Sequence, residues 1–135
     1  MYKNEHDFMQ FFHANHPPKD VSVNINTLFE KWNKRANELK NLYETRDSEK
    51  AFKSMCEGIL SFLYALFITN GHSIIKVDIH QWKEVTKNFT VKPVNTTERL
   101  NFIIEHPTQY HSFVQLNLLY KELIKKRAVH NLRIK

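Results

Sequence analysis

With Cys56 its one cysteine, the chain can form no internal disulfide and no thiolate-rich zinc site, and it fits a reducing compartment. It has two glycines and four prolines, too little turn-forming material for a sandwich or barrel of many short strands. Two glycines also leave little with which to build a phosphate-cradling loop, and no GxGxxG, P-loop, GxSxG or HExxH spacing occurs. The longest apolar run, Ile59 to Ile68, is about half of the roughly 20 residues that cross a bilayer as a helix. No charged-then-apolar leader opens the chain, which begins MYKNEHDFMQ. The expectation from these absences is a cytoplasmic protein with no membrane span, no cofactor and no enzymatic activity.

What is present is helix-forming and aromatic. Ten Phe, five Tyr and two Trp can fill a core from few elements. Phe8, Phe11 and Phe12 recur at i, i+3, i+4 ahead of Pro17 and Pro18, which predicts a short helical arm over residues 1–20. Residues 21–135 read as a single helical domain with a basic C-terminal end. Thr27 and Glu30 have capping-box spacing, and Leu28, Trp32, Leu39, Leu42 and Tyr43 continue a stripe to about Glu44. Asp47 or Ser48 suits the cap of the next helix, and Gly71 suits its close near Thr69. Between Phe52 and Ile68 this helix is apolar on nearly every side and belongs at the centre of a bundle. Ser73 to Val77 reads as loop or brief extended chain, and Asp78 precedes a three-turn pattern of Ile79, Trp82, Val85 and Phe89. The fold class is all-α, a compact bundle of five to six helices around one central apolar helix.

Residues 93–116, PVNTTERLNFIIEHPTQYHSFVQL, are the most punctuated span. Asn95 with Glu98 resembles a capping box for a short helix that buries Leu100, Ile103 and Ile104. Pro107 stops that helix and suits the first turn of the next, where Phe113, Leu116, Tyr120, Leu123 and Ile124 share a side. His111, Gln115, Leu118 and Glu122 line the opposite side. Arg99, Tyr110, His111 and Gln115 have no evident folding task.

The run Pro93-Val94-Asn95, Glu98-Arg99-Leu100, Phe102-Ile103, Pro107, Tyr110 to Phe113 and Gln115-Leu116 resembles the C-terminal part of YpoC-like proteins of Firmicutes. The resemblance covers about residues 90–125 and rests on caps and apolar spacing. It implies a small cytoplasmic bacterial protein of uncharacterised biochemical role, and it supplies no active-site residue.

Other polar groups read as structural. His13, His16, His72, His80, His106 and His111 are spaced as independent surface or capping histidines, against a metal site. Cys56 reads as a small buried hydrophobe. Glu57 reads as an acid on the Lys53 and Ser61 side of its helix, against a buried general acid.

Charge supplies the functional reading. The formal charge of +6 lies wholly in the second half: residues 1–70 hold nine Lys/Arg and nine Asp/Glu, residues 71–135 eleven and five. Such asymmetry suggests an acidic partner, which could be nucleic acid, an anionic membrane surface or another protein. For a protein partner the candidate contacts are Arg99, Tyr110, His111, Gln115, Glu122, Lys125 and Lys126. For phosphates they are Lys125, Lys126, Arg127, Arg133 and Lys135, although no zinc-finger, RNP1 or helix-turn-helix pattern accompanies them.

Overall fold

The computed structural model describes residues 3–15, 24–73 and 78–133. They form α1 (Glu5–Asn15), α2 (Ile25–Glu44), α3 (Ser48–Thr69), a 3₁₀ turn (Ile79–Gln81) leading into α4 (Trp82–Lys87), α5 (Thr96–Glu105) and α6 (Tyr110–Arg133). No strand occurs among the described residues. Pro17, Pro18, Lys135 and most of the Ser73–Val77 segment lie outside them.

α3 is the centre, as its composition requires. It starts at Asp47, whose carboxylate accepts the Lys50 N–H at 3.2 Å, and buries 13 of its 22 residues. Met55, Ile59, Phe62, Leu63 and Leu66 have no exposed surface at all. By length and composition α3 is apolar enough to cross a membrane, yet 72% of that stretch is buried here. Its sides are covered by α2, α6 and α1. Burying a large apolar side chain stabilises by about 1.5–3 kcal/mol, so a helix apolar all round is held by neighbours on every side.

Gly58 sets how closely those neighbours come. A Cβ there would lie 2.5 Å from the Trp32 ring of α2. Trp32 in turn stacks on Tyr120 of α6, with centroids 4.5 Å apart and planes within 6°. The buried Tyr120 hydroxyl donates to the Gly58 carbonyl at 2.6 Å, and Trp32 Nε1 donates to Asn117 Oδ1 at 2.9 Å. One missing side chain thus lets three helices meet.

The helix boundaries show where local signals were misread. α2 begins at Ile25, and Asn24 caps it by accepting from Asn26 N–H at 2.9 Å; Thr27, expected as the cap, is already inside the helix. α2 ends at Glu44 in a Schellman turn: Asp47 N–H reaches Leu42 C=O at 3.0 Å and Arg46 N–H reaches Tyr43 C=O at 3.3 Å. Arg46 sits there at φ 59°. The same turn closes α3, with Gly71 at φ 73° in the expected place. The predicted three-turn helix after Asp78 is instead a 3₁₀ turn plus the six residues of α4, with Ile79, Trp82 and Phe89 buried as the pattern asks.

Asn95 occupies the N-cap position of α5, but its side chain makes no capping bond. Its backbone is left-handed, at φ 56°, a region Asn tolerates better than most residues. Thr96 and Thr97 are buried instead, Thr96 Oγ1 bonding Pro93 C=O and Thr97 Oγ1 meeting Thr86 Oγ1 of α4 at 2.8 Å. Pro107 is not in the first turn of α6. It lies in the connecting turn, where Gln109 N–H and Ser112 Oγ both donate to His106 C=O, at 3.2 and 2.6 Å. The arm helix α1 packs on α3 and α5 and adds Phe8 and Phe12 to the same buried cluster.

Candidate interaction surface on the last two helices

The polar residues of residues 93–116 fall into two groups once α5 and α6 are paired. Arg99, on α5, donates from Nε to Gln115 Oε1 at 3.2 Å and from Nη1 to Val94 C=O at 3.1 Å. Its fork also grips both carboxylate oxygens of Glu122, at 3.1 and 2.6 Å. Such bidentate pairing is planar and directional. The Arg99 bonds, first in effect, and the nearby Lys126 and Lys125 hold the Glu122 carboxyl below its ordinary range. Arg99, Gln115 and Glu122 therefore form an internal clamp between α5 and α6 and are not three open contact residues. Sequence spacing hid this, because Arg99 lies 23 positions from Glu122.

Tyr110 and His111 stay on the outside. Tyr110 is 57% exposed and stands edge-on to Tyr43, their centroids 5.4 Å apart. His111 is exposed at the rim of the Phe102 ring. Leu118, one turn beyond Gln115, is also exposed.

Beyond Leu123 the character of α6 changes. Phe113, Leu116, Leu119, Tyr120 and Leu123 are buried, whereas no residue from Ile124 to Arg133 is. Ile124, expected on the core side, is exposed, as are Val129 and Leu132. Arg127 is half-buried, in keeping with its place one turn past Leu123.

A cleft of about 430 Å³ runs beside this end of α6. Glu122, Lys125, Lys126, Val129, His130 and Arg133 form one wall, and Thr90, Val91 and Lys92 the other. The second wall was not legible as a site, since residues 90–94 read only as a break in pattern. Its placement depends on Asn70, whose side chain donates to Val91 C=O at 2.8 Å and accepts from Val91 N–H at 2.9 Å. Lys92 Nζ donates to Thr86 and Lys87 carbonyls at 3.1 and 2.6 Å, so its charge closes the end of α4. Of the expected phosphate contacts, Lys125, Lys126 and Arg133 line the cleft, Arg127 does not, and Lys135 lies outside the described residues.

Glu57, half-buried, pairs with Arg35 of α2 at 2.6 Å; Arg35 also reaches Ser54 Oγ at 3.2 Å. Burial pushes the Cys56 thiol and the Tyr43, Tyr64 and Tyr120 hydroxyls up, away from neutrality. No cluster of three or more metal-ligating side chains occurs among the described residues.

Fold and surface define the class: a small all-α protein with a central apolar helix and a basic, unpacked terminal helix end. A family model described as YpoC-like protein matches residues 22–135. Over 119 residues the chain is 34% identical to a protein of Bacillus subtilis (strain 168) named Uncharacterized protein YpoC, spanning 88% of this chain and 71% of that one. No solved structure matches. The chain belongs to the YpoC-like family, and the match reaches well upstream of residues 90–125.

Proposed function

We propose that this YpoC-like chain is a non-enzymatic protein-interaction module of the cytoplasm of a Gram-positive bacterium, docking its partner on the outer face of α6. The observation that carries this reading is the last ten residues of α6, Ile124–Arg133, which stay helical with no buried side chain. Leu118, Val129 and Leu132 fall within about 60° of one another at 100° per residue, and all three are exposed. An amphipathic helix face without a covering element is the usual form of a helix-mediated contact. The test is photo-crosslinking in the native host from positions 118 and 132, with exposed Glu30 of α2 as control. A discrete protein adduct from 118 and 132 but not from 30 is expected; equal or absent adducts at all three overturn the reading.

The second reading is non-specific DNA or RNA binding, favoured by the placement of all six net positive charges in residues 71–135. Phosphate binding would weaken with salt by a slope near 0.9 per contact on duplex DNA. A protein interface with an apolar centre would respond far less. Titrating labelled duplex DNA at several salt concentrations separates the two.

A further inference from the structure

We infer that the cleft between the last turns of α6 and residues 90–92 takes an acidic, apolar-bearing segment of the partner protein; this rests on the interaction reading above and names the chemistry of the occupant. The lining holds four Lys/Arg (Lys92, Lys125, Lys126, Arg133) against one acid, Glu122, a balance of +3 with His130 neutral. Glu122 does not oppose an incoming carboxylate at full strength, because the Arg99 fork already engages both its oxygens. Lys92 is turned to the α4 carbonyls, while Lys125, Lys126 and Arg133 enter no ion pair among the described residues. Those three cations stand on one wall, exposed, with Lys125 and Lys126 close enough to Glu122 to act on its charge.

Between the cations lies apolar surface. Val129 sits on the α6 wall, with Lys125 and Lys126 one turn before it and Arg133 one turn after. Val91 belongs to the other wall but is only 8% exposed, held by a two-way backbone pairing with Asn70, so Val129 supplies the open apolar surface. A carboxylate-rich segment carrying an aliphatic side chain satisfies both features at once. A nucleic acid satisfies the charge but brings no aliphatic side chain for Val129, and His130 is the one aromatic ring among the lining residues that could stack a base.

The probe is a labelled peptide of glutamates interspersed with leucines, followed by fluorescence anisotropy against the full chain. An all-glutamate peptide, a glutamine/leucine peptide and single-stranded DNA serve as comparators. The Glu/Leu peptide should bind tightest. Lys125→Glu/Lys126→Glu should weaken it by about tenfold or more at low salt and by less at high salt, because screening already weakens such contacts there. Val129→Ser should weaken it several-fold with little dependence on salt. Circular dichroism keeps these variants interpretable, since none of the three positions is buried. Equal or tighter binding of all-glutamate peptide or DNA, no binding of the Glu/Leu peptide, or unchanged binding by both variants overturns the inference. If it is overturned while positions 118 and 132 still crosslink to a protein, the interaction reading stands and only the cleft is removed from it. Loss of both removes the reading itself.

Discussion

From Tyr110 to Leu123, α6 buries six side chains against α2, α3 and α5; from Ile124 to Arg133 it buries none and carries Lys125, Lys126, Arg127 and Arg133. Both parts are helical, for different reasons. The first is held by tertiary packing, centred on Tyr120 between Trp32, Phe62 and the Gly58 carbonyl. The second continues from an already formed helix, which avoids nucleation, and is rich in the good formers Lys, Arg and Ala. Basic side chains at a helix C-terminus are also favoured by the macrodipole. The lesson is that continuity of secondary structure does not mean continuity of burial: α6 stays helical for ten residues after its last buried side chain.

The comparison predicts a steep gradient of mutational effect. At the packed extreme, Leu63→Asp places an unpaired charge where no surface is exposed, and should abolish folding. Native-like circular dichroism and melting in that variant would refute the central place of α3. Gly58→Ala should follow, at about 2 kcal/mol of destabilisation: overpacking against Trp32 exceeds the roughly 1 kcal/mol that alanine gains over glycine in a helix. Denaturant melts measure it, and Gly58→Ala combined with Trp32→Leu should recover part of the loss.

Asn95→Ala should cost about 1 kcal/mol through its left-handed backbone, whereas Asn95→Gly should be neutral or stabilising. Equal losses in the two variants would restore a side-chain capping role. Glu122→Gln should remove at most about 1 kcal/mol, because the pair is part-exposed and screened. Its sign is set by the depressed carboxyl: the stabilisation is fully present above the ordinary glutamate range and is lost as pH falls through the lowered value. The gap between wild type and Glu122→Gln should therefore be widest near neutrality and close in acid, read from melts across pH. The smallest effect belongs to Leu132→Ser, within about 0.5 kcal/mol, as for an exposed position. A large loss there would mean the distal end of α6 is packed after all.

Much of the bundle was legible because it is written in local code. The aliphatic and aromatic content of residues 52–68 demanded a central helix, Asp47 or Ser48 marked its start, with Asp47 the cap in the structure, and Gly71 its left-handed close. Local code was misleading where two residues offered the same chemistry. Asn24 outcompeted Thr27 as the cap of α2, and the Asn95 side chain made no capping bond at all. Arg46 could not be foreseen in a left-handed turn, because it has no preference for one; the packing of α2 on α3 imposes it. At the candidate surface the residue types were visible and their state was not. Arg99, Gln115 and Glu122 looked like open polar groups until α5 met α6 and closed them on each other.

By itself, then, the order of residues determined which segments become helices, which helix is too apolar to lie outside, and that the positive charge gathers in the second half. Those depend on neighbours within a few positions or on composition, where each residue's contribution is independent of the final topology. Only the tertiary structure decided that Gly58 is the meeting point of three helices, that Glu57 answers to Arg35, and that residues 90–92 and the end of α6 line one basic cleft. These pairings join residues far apart in the chain, and the geometry that selects one partner among several exists only after the helices have packed.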